Sequence, residues 1–311
     1  MCYSSMVRAE HRKFQRETGS KMTVKEYVRL YWLDEGMDPY ARRPRTPRAM
    51  DIGFLRDGPP EVADLIRQWD ARETAALETE LFAQRKRVAD GQRALQTKTT
   101  KKAQEDVRIG SNKLDQIKTR LATLKRTEPK DSDQRIYPGS YCHVLVSEGG
   151  ERVIRPMRYQ CRPAGKPAFF DRKFPGTYNA RRDNLEGFWK DQFGYTHGIM
   201  VADVFYENVE GPDGQNMVLA FTPRDREPML IACLWSHWTD PKGQEPDLLS
   251  FAAITDEPEP EVAAAGHDRT IINIKPEHID AWLNPDAGNL TALYAIFDDK
   301  RHPYYEHREA A

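Results

Sequence analysis

Residues 60–131 carry the pattern that most restricts how this chain can fold. Apolar residues recur in this segment at seven-residue intervals, first as Leu81, Val88 and Leu95 and then as Val107, Leu114 and Leu121. This spacing aligns them along one stripe of a helix, as in coiled coils. The segment holds 28 charged residues among 72 and only two aromatic residues, so it cannot build a globular core alone. The pattern predicts two long helices with a break near residues 96–100, paired as an antiparallel hairpin.

The charge of this helical segment leaves its role open. It has 16 basic and 12 acidic residues, a net charge of +4, whereas the whole chain has a formal charge of −1. One interpretation is a solvated helix pair or an arm that binds a partner protein. The other is an arm that lies along nucleic acid.

The rest of the chain predicts one compact domain that the hairpin interrupts. Residues 1–59 form its start with a helical extension, residues 60–131 the hairpin, and residues 132–311 its main body. Six short strand-like runs lie in the last range: Tyr141–Val146, Ile199–Tyr206, Met217–Thr222, Met229–Trp235, Leu249–Thr255 and Thr270–Ile274. A hairpin turn is expected at 211–214, and a short helix at 276–283. We therefore expect an α+β fold with a mainly antiparallel β core and short helices.

Two local patterns mark the first 59 residues. Thr23 and Glu26 have the spacing of a capping box, which predicts a helix beginning after Thr23. Farther on, four arginines fall within seven residues and are interleaved with prolines: Arg42, Arg43, Arg45 and Arg48. They could contact phosphates or belong to a solvated linker.

Composition excludes several classes of protein. No apolar run approaches the roughly 18 residues that a membrane helix needs, and no signal-peptide core precedes residue 16. The four cysteines fit no zinc-ligand spacing, and Cys142 and Cys233 lie in apolar runs where burial is expected. We expect a monomer in a reducing, cytoplasmic compartment (nucleoid-associated if the chain is bacterial), with no membrane partner, metal or organic cofactor.

Short motifs then occur in a specific order. Cys2 follows Met1, and the later pieces are Arg135-Ile-Tyr-Pro-Gly139, Met157-Arg-Tyr159, Asn179-Ala-Arg181, Val204-Phe-Tyr-Glu207, Ala232-Cys-Leu-Trp235 and Gly266-His-Asp-Arg269. In this order the chain resembles the SRAP family, the SOS-response-associated peptidases. The resemblance covers residues 1–5 and about 132–290.

The resemblance implies a sensor and shield of abasic sites in single-stranded DNA. In that family, the mature N-terminal cysteine joins the sugar aldehyde through a Schiff base and then a thiazolidine. Cys2 would be the nucleophile here, supported by Asn179, Glu207 and His267. The residue types suit this chemistry, since an α-amine with a pKa near ~7.7–8.0 is partly neutral at pH 7, and the adjacent thiol closes the ring.

The single DNA strand must also be bound. Residues 151–200 contain ten basic and five acidic residues. By the resemblance, phosphate contacts would come from Arg158, Arg181 and Arg269, whose binding weakens as salt rises. Tyr159 would stack on bases, and Thr255 and Pro138 would line the DNA cleft.

Departures from the family pattern keep two alternatives open. Ser4 stands where the family has an arginine, and Asn208 stands where it has a tryptophan after Glu207. The first alternative is a cysteine peptidase or amidohydrolase whose N-terminal nucleophile attacks an amide. The second is a DNA-binding scaffold whose helical arm recruits a partner protein.

Overall fold

The structure is a computed structural model that describes residues 3–33, 43–211 and 213–310. Its helices are α1 (His11–Thr18), α2 (Val24–Tyr31), α3 (Arg48–Asp57), α4 (Pro60–Thr97), α5 (Lys101–Lys125), α6 (Phe170–Lys173), α7 (Pro260–Ala264), α8 (Ile279–Leu283) and α9 (Leu290–Asp298). Its strands are β1 (Ser4–Val7), β2 (Lys21–Met22), β3 (Arg135–Ile136), β4 (Tyr141–Glu148), β5 (Glu151–Tyr159), β6 (Asn179–Arg181), β7 (His197–Glu210), β8 (Asn216–Pro223), β9 (Met229–Trp238), β10 (Leu248–Asp256), β11 (Thr270–Ile271) and β12 (Tyr305–Glu309).

The strands in the described ranges join into one sheet. Its main path runs β11-β10-β5-β4-β7-β1-β3. Most neighbouring strands are antiparallel, while β10 pairs in parallel with β5 and β6, and β2 pairs in parallel with β5. The predicted α+β fold with a mainly antiparallel core is therefore confirmed. Five of the six strand-like runs lie within strands, and the sixth, Thr270–Ile274, is a strand over Thr270–Ile271. The predicted turn at 211–214 includes residue 212, which lies outside the described residues, and the flanking strands β7 and β8 form an antiparallel pair.

Helices cover both faces of the sheet. Alternate residues of a strand point to opposite faces, and accordingly Val144 and Leu145 of β4 belong to two different buried clusters. The first cluster packs under α2, α3 and the start of α4, and the second packs under α8 and α9. The core therefore uses the N-terminal helices as well as the body predicted at 132–311.

The helical arm is the pair α4 and α5. The two helices have 38 and 25 residues, and the break between them falls where the sequence predicted it. A Cβ atom on Gly91 would lie 2.9 Å from Val107 Cγ2, and one on Gly110 would lie 2.6 Å from Val88 Cγ2. Two of the apolar positions in the seven-residue pattern therefore pack directly against glycines, which let the helices approach closely.

The base of the arm is built into the core. Val62, Ile66 and Trp69 of α4 are buried in the first cluster, and the Trp69 indole N–H donates to the Tyr31 carbonyl at 2.9 Å. The Arg48 guanidinium donates to the Leu124 carbonyl at 2.6 Å, which ties the end of α5 to α3. The division at residues 59 and 131 stays a prediction.

The helix predicted after Thr23 is confirmed, but the capping box is wrong. Thr23 precedes α2, but its hydroxyl makes no capping hydrogen bond and instead donates to the Ile154 carbonyl at 3.1 Å. Pairing of β2 with β5 brings that carbonyl within reach, so a tertiary contact replaces the local one. No helix in the described ranges has the length and apolar character that crossing a bilayer requires.

Candidate functional site

Glu207 and His267 meet at the end of a long strand. Glu207 lies near the end of β7, where β1 pairs alongside with Ser4 opposite Tyr206. His267 follows Gly266, whose φ of +92° suits a glycine, in the loop between α7 and β11. This turn brings His267 Nε2 to 3.2 Å from Glu207 Oε2. Both side chains are largely buried, at 9% and 1% exposed.

The protonation of this pair follows from its surroundings. Burial raises the pKa of Glu207 to about 8, and the Asp268 carboxylate adds to that rise. Burial also lowers the pKa of His267, against the effect of the Arg269 carbonyl. His267 Nδ1 lies 2.9 Å from that carbonyl oxygen and 3.3 Å from the Arg269 backbone nitrogen. The shorter contact favours a proton on Nδ1, which leaves Nε2 of the neutral imidazole facing the Glu207 carboxyl.

Strand pairing places two more polar side chains beside this pair. β6 lies parallel to β10, with Asn179 opposite Ala253 and Arg181 opposite Thr255. The Asn179 carboxamide and the Thr255 hydroxyl are buried and find no hydrogen-bond partner among the described residues. A buried polar group without a partner costs stability. These groups are therefore poised to bind a ligand.

A cavity of about 590 Å³ is lined by three of these side chains, namely Asn179, Thr255 and His267, whereas Glu207 contacts His267 from outside the lining. This volume falls in the range of small-molecule sites. The lining comprises two tyrosines, two arginines, two glycines and five other polar residues: Tyr3, Gly176, Tyr178, Asn179, Arg181, Asn208, Thr255, Gly266, His267, Asp268 and Arg269. We call this space the site cavity.

The two arginines give the site cavity a basic rim. Arg181 is half-exposed and forms a two-pronged pair with Asp183, with contacts of 2.9 and 2.5 Å. Arg269 is mostly buried, with Nε 3.7 Å from an Asp268 oxygen. Guanidinium groups bind phosphate oxygens well, so a phosphate at this rim would compete with the two aspartates.

Three of the expected DNA contacts lie elsewhere. Arg158 pairs with Asp171 at 2.8 Å and does not line the site cavity. Pro138 lies in the turn between β3 and β4, also outside the lining. Tyr159 requires a correction, because its side chain is fully buried and offers no ring face to a base. Its ring instead packs against Tyr178, which does line the site cavity.

The predicted nucleophile Cys2 lies outside the described residues. Its neighbour in the sequence, Tyr3, lines the site cavity. The other three cysteines are buried, as expected for Cys142 and Cys233. Burial raises the pKa of the Cys161 thiol to about 12, which makes it a poor nucleophile.

Sequence reasoning missed two aromatic residues of the site cavity. The rings of Tyr3 and Tyr178 lie edge to face, with centroids 6.4 Å apart. Tyr3 directly follows Cys2, and Tyr178 directly precedes Asn179, and both of these neighbours belong to the expected site. That adjacency was the only signal available, since pairing of β1 with β7 and of β6 with β10 brings the two rings together.

Comparison with known proteins gives a family match and distant structural neighbours. The family described as SOS response associated peptidase (SRAP) matches residues 91–308. A protein from Bordetella bronchiseptica is similar, with 20% identity and a TM-score of 0.47 over 57% of this chain and 87% of its own. One from Bacteroides thetaiotaomicron has 12% identity and a TM-score of 0.47, covering 57% and 77%. A phage-related protein from B. bronchiseptica has 17% identity and a TM-score of 0.42, covering 57% and 80%. No similar sequence was found among curated proteins.

Proposed function

The chain belongs to the SRAP family, whose members act in association with DNA damage, and from this premise we propose that it captures abasic sites in single-stranded DNA covalently through Cys2. The observation that carries the proposal is the buried Glu207–His267 pair, with the two side chains 3.2 Å apart and His267 lining the site cavity. A carboxylic acid that stays protonated at neutral pH is a suitable proton donor for carbonyl chemistry. Tyr3 links this cavity to the N-terminus.

The proposed reaction begins at the α-amine that removal of Met1 exposes. The neutral amine adds to the aldehyde carbon of the ring-opened sugar, and the former carbonyl oxygen leaves as water, which gives a Schiff base. The Cys2 thiolate then attacks the same carbon. The C=N electron pair moves to nitrogen, which takes up a proton, and a thiazolidine ring closes. The net change is loss of one water.

The residues of the site cavity match the steps of this reaction. Protonated Glu207 gives its proton to the leaving oxygen. His267, whose Nε2 lies next to the Glu207 carboxyl, then helps to return a proton to Glu207. Asn179 and Thr255 supply the polar atoms that lack protein partners, which suits binding of the sugar hydroxyl groups. Arg181 and Arg269 lie at the rim, where the flanking phosphates would bind.

A direct test is to incubate the purified chain with a single-stranded oligonucleotide that contains one abasic site. A band that survives denaturing electrophoresis is expected. Cys2→Ser keeps the α-amine but lacks the thiol, so it should give a stable band only after borohydride reduction of the Schiff base. The buried Cys161→Ser serves as the matched control and should behave as the parent chain. No stable band from the parent chain would refute the proposal.

The second candidate is hydrolysis of a peptide or amide bond. The same acid–imidazole pair favours it, because amide hydrolysis also needs a proton donor for the leaving amine. This candidate predicts turnover of an amide substrate without any DNA adduct. The two functions are therefore separated by one comparison of peptide cleavage with adduct formation.

A further inference from the structure

A second cavity lies where the helical arm joins the domain. It has a volume of about 640 Å³ and is bounded by the loop before α3 and the first turn of that helix, by residues 69–76 of α4, by Arg120 of α5 and by Arg135 of β3. Six arginines line it: Arg43, Arg45, Arg48, Arg72, Arg120 and Arg135. We call it the arm-base cavity. It is formed mostly by the arginine loop and the arm, the regions to which the sequence assigned no settled role.

Part of this positive charge is neutralised within the protein. Arg43 pairs with Asp51 at 2.7 Å and Arg48 pairs with Asp70 at 3.0 Å. Asp51 is almost completely buried. Such buried pairs hold the arm against α3 and are not available to a ligand. Arg120 is likewise engaged with Glu73.

Of the other three arginines, Arg72 has its guanidinium carbon 5.5 Å from the Trp69 ring centroid, and Arg45 and Arg135 differ from the paired arginines. Among the described residues, no carboxylate forms an ion pair with Arg45 or Arg135. Arg45 is exposed, and one of its nitrogens lies 3.4 Å from where a Cβ atom of Gly139 would be. Arg135 donates to the Ser4 hydroxyl at 3.0 Å and covers the ring of Tyr206 at 3.6 Å. The wall of the cavity nearest the sheet therefore carries uncompensated positive charge.

A strip of aromatic rings connects the arm-base cavity to the site cavity. The Arg135 guanidinium lies 5.1 Å from the Tyr137 ring centroid, and that centroid lies 5.8 Å from the one of Tyr3. Tyr3 lines the site cavity. Alternation of guanidinium groups with rings is the pattern that single-strand binders use, because phosphates contact the cations and bases stack on the rings.

We propose that the arm-base cavity is a second DNA-contact surface, where Arg45 and Arg135 bind backbone phosphates of the single strand that extends beyond the site cavity. The inference rests on the proposed function for the identity of the strand. Arg135 of β3 donates two hydrogen bonds to the Ser4 hydroxyl of β1, which fixes its guanidinium at the edge of the sheet. The helical arm contributes by closing one side of the cavity, and the DNA strand passes the end of the arm that joins the domain.

The test measures binding of an undamaged, fluorescently labelled oligothymidylate by anisotropy at several salt concentrations. The variant R45Q/R135Q removes both uncompensated cations. The control R67Q/R93Q removes the same charge from exposed pairs on the outer surface of the arm. We expect the first variant to bind about tenfold more weakly at low salt, and its salt slope to be shallower by about 1.4, or roughly 0.7 per lost phosphate contact. The control should bind like the parent chain. Equal affinity and slope for all three proteins would overturn the inference.

Two further experiments separate this inference from the proposed function. An oligonucleotide with uncharged methylphosphonate linkages on one side of the label should bind the parent chain more weakly than the normal oligonucleotide does. R45Q/R135Q should bind the two oligonucleotides with equal affinity. R135K keeps the charge and should restore part of the affinity, which distinguishes a binding role from a folding defect. An adduct with abasic DNA together with unchanged affinity refutes only the inference. Weakened binding of R45Q/R135Q in a chain that forms no adduct refutes only the proposed capture reaction.

Discussion

His267 Nε2 lies 3.2 Å from Glu207 Oε2, in a pocket that buries both side chains. Because burial opposes charge on either group, the stable arrangement is a protonated carboxyl beside a neutral imidazole. The proton on Glu207 is therefore held at neutral pH, where an exposed glutamate would have lost it. A proton donor of this kind is useful only near a reacting group, and its neighbour His267 lines the site cavity.

Replacing Glu207 by glutamine should slow adduct formation by about 100-fold or more, since general acid–base groups typically contribute that much. The amide keeps the shape of the acid but cannot give up a proton. The rate would be measured on denaturing gels as a time course with abasic single-stranded DNA. Glu210→Gln, on the same strand and at its exposed end, is the matched control. A Glu207→Gln rate equal to that of the parent would remove Glu207 from the mechanism.

The rate of adduct formation should depend on pH in a defined direction. The α-amine must be neutral, which raises the rate as pH approaches ~7.7–8.0. Glu207 must be protonated, and its pKa of about 8 makes the rate fall at higher pH. The rate of the parent chain should therefore pass through a maximum close to these two pKa values. The rate of Glu207→Gln should not decline at higher pH. An alkaline decline of the same position and depth in both proteins would contradict the assignment.

The same raised pKa affects stability. In the folded chain Glu207 binds a proton up to about pH 8, whereas unfolded it loses the proton near pH 4.5. The unfolded state therefore binds fewer protons across this window, and the free energy of unfolding falls as pH rises through it. Glu207→Gln should flatten this part of the curve, measured by urea denaturation at several pH values. Parallel curves for the two proteins would show that the carboxyl is not shifted.

Glu207 and His267 should act as one unit. If they share a proton, His267→Asn slows the reaction to about the same extent as Glu207→Gln, and the double variant is scarcely slower than either single variant. Rates for the three variants and the parent form a double-mutant cycle. Fully additive losses would mean that the two side chains act independently.

The base of the arm should depend on Asp51. This carboxylate is buried, accepts a hydrogen bond from the Tyr31 hydroxyl at 2.6 Å and pairs with Arg43 at 2.7 Å. Asp51→Ala leaves a buried guanidinium without this partner, so the free energy of unfolding should fall by about 3 kcal/mol. Asp64→Ala removes an exposed carboxylate paired with Arg67 and should change it by less than about 1 kcal/mol. Equal, small losses would mean that the Asp51 network adds little.

The sequence predicted what depends on periodicity and motif order. The seven-residue spacing of Val88 and its equivalents predicted the arm, and the short apolar runs of β4 and β7 predicted strands. It did not predict how Arg135 reaches Ser4, because that contact depends on the register of β1 against β3. Nor did the sequence predict that Tyr159 is buried, because a tyrosine that follows an arginine in a strand can lie on either the covered or the open face of a sheet. Both outcomes are properties of tertiary packing.

The most direct test of the account is the intact mass of the product formed with an abasic single strand. The account predicts the mass of the chain without Met1, plus that of the DNA, minus one water. Cys2→Ala should give no thiazolidine product of this kind that survives denaturation. A chain that retains Met1 and yields no adduct, or an adduct that Cys2→Ala forms equally well, would contradict the central claim.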